Sequence, residues 1–135
     1  MSIEKENEFI NLFIVKEKAD RLKYELSKKD KRKTGIGKFC HNINDMIKTQ
    51  YLYQKTNTSS PNELYEIIRK ISKSDVAYVI SYDDRIDGTE QNLFEAINSC
   101  IHYGMPSIII IEKVVIIITE QEKGSPEKYI LYLNT

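Results

Sequence analysis

Two apolar segments split by a charged pair constrain this chain more than any other feature. Ile108-Ile109-Ile110-Ile111 and Val114-Val115-Ile116-Ile117-Ile118 flank Glu112-Lys113. β-Branched side chains pack well on a pleated surface and lose rotamer freedom in a helix. Residues 107–111 and 114–119 are therefore expected to form an antiparallel pair turning at Glu112-Lys113. A strand with one wet face alternates apolar and polar residues. These segments do not alternate, so both of their faces must be covered. That requirement puts helices on both sides of a sheet, and the rest of the chain has to supply them.

The helical candidates are legible from spacing. Residues 4–28 place Phe9, Phe13, Leu22 and Leu26 at helical intervals, with Phe13-Ile14-Val15 as a possible break into two helices. A further helix within residues 31–49 sets Phe39, Ile43, Met46 and Ile47 on one face, with Gly35 and Gly37 weakening its start. Residues 51–54 read as a short strand. Ser60-Pro61-Asn62-Glu63 is a helix start: Ser60 caps, Pro61 suits the first position and Glu63 completes a capping box. Leu64, Ile67, Ile68 and Ile71 then make an apolar stripe over residues 61–72. Residues 76–81 read as a buried strand, and residues 89–103 as a helix closed by Gly104, with Asp87 and Thr89 at its start. Gly124-Ser125-Pro126 signals a turn, and residues 128–133 are the last strand.

The strand–helix–strand passage over 76–111 is long enough for a right-handed parallel crossover. The expected fold is therefore α+β, one domain over residues 1–135. Its mixed sheet of four to five strands ends in a C-terminal antiparallel meander and is covered by N-terminal and crossover helices. Residues 1–55 form the basic helical part. Residues 60–135 form the helix–strand–helix–three-strand part.

Charge is balanced overall, 20 Lys+Arg against 20 Asp+Glu, but unevenly placed. Residues 16–38 carry a net +6 and residues 75–95 a net −5. The two segments can pair inside the fold, or one can face a partner. Overall neutrality argues against a protein that coats nucleic acid. Two cysteines are too few for a disulfide scaffold. No signal peptide and no membrane-spanning run is read, so a cytoplasmic protein with reduced thiols is expected. The preference for Lys (16) over Arg (4) and the 21 Ile point to AT-rich, bacterial coding.

Several motifs invite a chemical reading. Thr34-Gly35-Ile36-Gly37-Lys38-Phe39 has the flavour of a phosphate loop. Its first glycine position is Arg32, and Phe39 stands where magnesium needs a hydroxyl. Asp83-Asp84-Arg85-Ile86-Asp87-Gly88 fails as an EF-hand because Arg85 and Phe94 occupy ligand positions. Cys40, His41, Cys100 and His102 offer zinc ligands or a thiol–imidazole pair, without the spacing of either. No cofactor, no metal and no catalytic residue is assigned, and enzymatic activity is not expected. Tyr24, Tyr51, Tyr53 and Tyr65 lie in or near the basic half and could stack on bases, though amphipathic packing explains them as well.

Asp20-Arg21-Leu22, the cluster 28–33, Phe39-Cys40-His41-Asn42, Tyr78-Val79-Ile80-Ser81, Gly104-Met105-Pro106-Ser107 and Gly124-Ser125-Pro126-Glu127 together resemble a small bacterial protein family of no known activity. The resemblance spans nearly the whole chain. It implies one domain and a bacterial source, and it transfers no site residue.

The functional expectation is a protein-binding module, an immunity-type protein that neutralises a protein partner. The acidic segment could cover a cationic cleft, with Asp83, Asp84, Asp87, Glu90 and Glu95 at the interface and Tyr82 as an aromatic anchor. One alternative is nucleic-acid binding through Lys28, Lys29, Lys31, Arg32, Lys33 and Lys38. Another is a metal- or thiol-dependent enzyme using Asp83/Asp84 or Cys100/His102. An exposed edge at residues 128–133 could mediate a homodimer.

Overall fold

The computed structural model describes residues 1–120 and 127–134. In chain order it contains α1 (Ile3–Phe13), α2 (Lys16–Ser27), α3 (Arg32–His41), α4 (Ile43–Met46), a 3-10 turn (Thr49–Tyr51) and β1 (Leu52–Thr56). Then follow α5 (Pro61–Arg69), β2 (Val76–Ser81), β3 (Thr89–Asn92), α6 (Leu93–Tyr103), β4 (Ser107–Ile111), β5 (Val114–Ile118) and β6 (Lys128–Tyr132). The strands form one sheet in the order β1-β6-β5-β4-β2-β3. The α+β class follows as expected, with six strands rather than four or five.

The β4–β5 pair sits inside this sheet and meets the requirement its sequence imposed. Ile108, Val115 and Ile117 pack with Phe9, Phe13 and Phe39 of the N-terminal helices. Ile109, Ile111, Val114, Ile116 and Ile118 pack with Leu64 and Ile68 of α5 and with Leu93 and Ile97 of α6. Strand side chains alternate between faces, so one apolar run feeds two cores.

The expected parallel crossover is corrected. β2 and β4 are antiparallel, with Tyr78 opposite Ile110 and Ser81 opposite Ser107. The reversal comes from β3, which pairs antiparallel with β2 before α6 begins. Gly88, at φ 73°, allows the chain to double back, and its N–H donates to the Val79 carbonyl at 2.7 Å. α6 therefore starts at Leu93, and Asn92 caps it by accepting from the N–H groups of Phe94 and Glu95. Asp87 and Thr89 have no part in that cap. At the other end Gly104 takes the left-handed position as expected.

The N-terminal helical segment does break at Ile14. Ile14 bridges to Ile47, the Val15 N–H donates to the Met46 carbonyl at 2.8 Å, and the Lys48 N–H donates to the Phe13 carbonyl at 2.8 Å. This pairing holds Ile47 extended and ends α4, while the break that divides residues 31–49 into two helices falls at Asn42, which leaves the helical region at φ −129° and ψ 36°. Helix α5 starts at the predicted cap. The Ser60 hydroxyl accepts from the Glu63 N–H, while the Glu63 carboxylate takes the Thr58 hydroxyl at 2.6 Å. Thr58 in turn accepts from the Ser60 N–H, so the capping box closes through a relay. The helix stops at Arg69, whose guanidinium donates to the carbonyls of Ser72 and Ser74.

The 128–133 segment is not an edge. β6 lies between β1 and β5, and the edges are β1 and β3. β3 is polar throughout, while β1 presents Gln54 and Lys55 beside an exposed Tyr53 and carries a bulge between Leu52 and Gln54. These features discourage pairing with further strands. The Gly124-Ser125-Pro126 turn lies outside the described residues.

Candidate functional site

The segment between β2 and β3, residues 82–88, is anchored by a dense set of side-chain bonds. Its centre is the Arg32 guanidinium of α3. The Nε and Nη2 groups donate to both oxygens of Asp87 at 2.7 and 2.9 Å. Nη1 and Nη2 donate to both oxygens of Glu6 at 2.7 Å each, and Nη1 also donates to the Leu26 carbonyl at 2.9 Å. All five N–H donors of the fork are thereby used. Burial by itself would lower the Arg32 pKa, but the hydrogen bonds and charges of Glu6 and Asp87 raise it above its ordinary value. The Tyr78 hydroxyl donates to Glu6 at 2.6 Å. Its own pKa is pushed up by burial and by this bond, since ionisation would face a carboxylate. Asp87 also accepts from the Ser81 N–H at 3.0 Å. One network thus ties α1, α3, β2 and the segment together.

A second anchor lies at Asp83. Its carboxylate accepts from the Arg85 N–H at 3.1 Å and from the Arg85 guanidinium at 3.0 and 2.9 Å. Those bonds hold the carboxyl below its usual range, against the opposing effect of burial. The Asp83 N–H donates to the Ser81 hydroxyl, which pairs with the Ser107 hydroxyl at 2.8 Å. Tyr82 turns inward. Its ring packs on the core under α3, and a methyl group at Gly37 would collide with its hydroxyl. Gly35 lies close under Glu25 in the same way. The two glycines therefore permit close packing inside α3, and the 34–39 stretch is helix rather than a phosphate-cradling loop.

The segment separates two depressions. Towards α6, Asp83, Arg85 and Ile86 face Asn98, Ser99, His102 and Tyr103 across a volume of about 540 Å³. Towards the α2–α3 turn, Asp84 and Asp87 face Lys29, Asp30, Arg32 and Lys33 across about 670 Å³. The side chains of Asp84 and Arg85 are 80% and 81% exposed at the crest between them. Asn98, Ser99 and Tyr103 escaped the sequence reading, and His102 was noted there only as a metal or thiol partner, although the spacing of the four marks one polar side of α6.

The +6 and −5 segments partly neutralise one another. Arg32 pairs with Asp87, and Lys33 pairs with Asp84 at 3.2 Å. Asp75 pairs with Arg69, and Glu90 with Lys5. Glu95 is exposed on α6. In the basic segment Arg32 is buried, beyond the reach of an external phosphate. Lys38 pairs with Glu25 at 3.1 Å. Lys28, Lys29 and Lys31 are exposed at the α2–α3 turn, with no ion pair among the described residues.

Cys40, His41, Cys100 and His102 do not converge. Cys40 belongs to the core under the N-terminal helices, and Cys100 to the core under α5 and α6, across the sheet. Burial pushes both thiols up to about 12, far from the activated range. His41 lies near Glu120, while His102 Nδ1 meets the Asn98 carbonyl at 2.7 Å. Among the described residues no group of three or more His, Cys, Asp or Glu side chains could hold a metal ion. No helix among them is long and apolar enough to cross a membrane.

Comparison with known proteins finds no matching family model, no matching curated protein and no matching solved structure.

Proposed function

We propose that this chain is a small protein-binding module of the immunity type, which neutralises a protein partner through the crest at residues 82–88 and the adjoining end of α6. The observation that carries this reading is the contrast within the crest. Its backbone is fixed by part-buried bonds to the carboxylates of Asp83 and Asp87, while Asp84 and Arg85 project into solvent. A surface held rigid before binding loses little freedom on docking. Asp83, Asp87 and Tyr82 are positioning residues on this reading. Asp84, Arg85, Glu90, Glu95 and Tyr103 are the groups able to touch a partner.

The test is affinity capture from a lysate of the encoding organism, with and without nuclease, comparing the native chain with Asp84→Lys/Arg85→Glu. A protein captured after nuclease treatment and lost by the double variant supports the proposal. Equal capture by both chains removes the crest from the interface.

A second reading has its own observation. Lys28, Lys29 and Lys31, which form no ion pair among the described residues, make an exposed cationic turn, with Lys33 beside it. Phosphate contacts there would make nucleic-acid affinity fall steeply with salt. Nucleic acid recovered without nuclease, lost with salt and lost in Lys28→Gln/Lys29→Gln/Lys31→Gln would favour it.

A further inference from the structure

Away from the crest, a cleft opens between α1 and the β2–β4 end of the sheet. Its walls are Phe9, Leu12 and Phe13 of α1, Val76 and Tyr78 of β2, and Ile110 of β4. Lys5, Glu8, Ser74 and Glu112 complete the lining, and the volume is about 210 Å³. An apolar cavity of about 150 Å³ suffices for benzene, so this one has room for a single ring with a short chain. The walls are firmly set. Phe9, Phe13 and Tyr78 are almost fully buried, and the Phe9 ring packs against both Phe13 and Phe39.

The charges in the lining give the cleft a sign. Lys5 is already paired with Glu90 and lies 5.7 Å from the centre of the Tyr78 ring. Glu8 and Glu112 are exposed and have no ion pair among the described residues. Glu112 also sits at φ 51° in the tight β4–β5 turn, where glycine or asparagine would fit at lower cost. An apolar, aromatic-walled slot with two exposed carboxylates that form no ion pair among the described residues fits an apolar body carrying a positive head.

We infer that this cleft is a binding site for a small organic ammonium, a single aromatic or short aliphatic group bearing a protonated amine. The ring enters between Phe9, Leu12, Val76 and Ile110, and the ammonium remains at the mouth near Glu8 and Glu112. The site is independent of the crest, and it stands or falls without reference to any protein partner.

The experiment is an amide NMR titration of the full chain with three probes of one shape: phenethylammonium, neutral 2-phenylethanol and anionic phenylacetate. Saturable shifts at Leu12, Val76 and Ile110, tightest for phenethylammonium, are expected. Glu8→Gln/Glu112→Gln should weaken the ammonium about tenfold, as two partly exposed ion pairs allow, and leave the neutral probe unchanged. Val76→Phe fills the mouth from an exposed position and should abolish binding of every probe while the rest of the spectrum is kept. No saturable shift, shifts away from the cleft, or equal affinity for the three probes would each overturn the proposal.

Discussion

The two faces of the sheet are sealed by different chemistry. The N-terminal layer buries charged side chains, Glu6 of α1, Glu25 of α2 and Arg32 of α3, among its aromatic rings. Helices α5 and α6 bury only Leu64, Ile68, Leu93, Ala96, Ile97 and Cys100. The connectivity accounts for the difference. α6 leaves β3 directly and returns to β4 through a short turn, so its placement is fixed by the chain. The α1–α3 layer packs on strands far away in sequence and could slide on a purely apolar interface. A bidentate guanidinium between Glu6 and Asp87 accepts one alignment, which is the best-attested use of a buried ionic group.

The largest expected effect breaks that contrast from the charged side. Arg32→Ala leaves Glu6 and Asp87 buried without their partner and should cost about 3–5 kcal/mol, read by denaturant unfolding. A cost under about 1 kcal/mol would mean that the network adds little. The cysteines report each face separately, since Cys40 and Cys100 lie in different cores. Arg32→Ala should speed thiol labelling at Cys40 far more than at Cys100, by roughly 10²-fold for about 3 kcal/mol of local opening. Equal acceleration would show that both layers open as one unit.

From the aliphatic side, Ile97→Ala should cost about 2–5 kcal/mol through lost burial and a residual cavity. Its effect should be nearly independent of pH and salt, unlike that of Arg32→Ala. The triple change Glu6→Gln/Arg32→Met/Asp87→Asn sharpens the comparison further. Replacing a buried ionic cluster as a whole is often close to neutral in stability. The triple variant should therefore stay folded yet show broadened NMR signals from α1–α3, with sharp signals retained in α5 and α6. Sharp signals throughout would assign the network to stability and not to alignment.

The smallest effect concerns Asp83. Arg85 holds its carboxyl below the usual range, so this interaction stabilises the fold above the pKa of an unfolded aspartate, about 3.9. The contribution disappears as pH falls through the lower, folded value. Arg85→Gln should be slightly less stable than the native chain at pH 7, and the gap should close on acidification. A gap that persists in strong acid would contradict the pairing.

Much of the scaffold was readable from particular residues. Ile108 to Ile118 announced a doubly covered strand pair, Ser60-Pro61-Asn62-Glu63 announced α5, and Gly104 announced the end of α6. β3 was not readable. Thr89-Glu90-Gln91-Asn92 has no apolar alternation although it pairs antiparallel with β2, so its polar residues read instead as a helix start. The crest was only half legible. Its carboxylates stood out in the sequence, but which of them face solvent depended on their partners: Arg85 for Asp83 and, for Asp87, Arg32, a residue some fifty positions away that looked like part of a basic run.

What the sequence determined by itself is local: the helix caps, the turn residues and the demand that a β-branched pair be covered on both faces. These follow from backbone sterics and burial of neighbouring side chains, which act over a few residues. Tertiary structure alone decided the direction of β4, the interior place of β6, the separation of the two cysteines and the fate of each charge. Those outcomes depend on which distant groups meet once water is excluded. A carboxylate beside a buried guanidinium and one in solvent are the same letter, and only the fold supplies the partner.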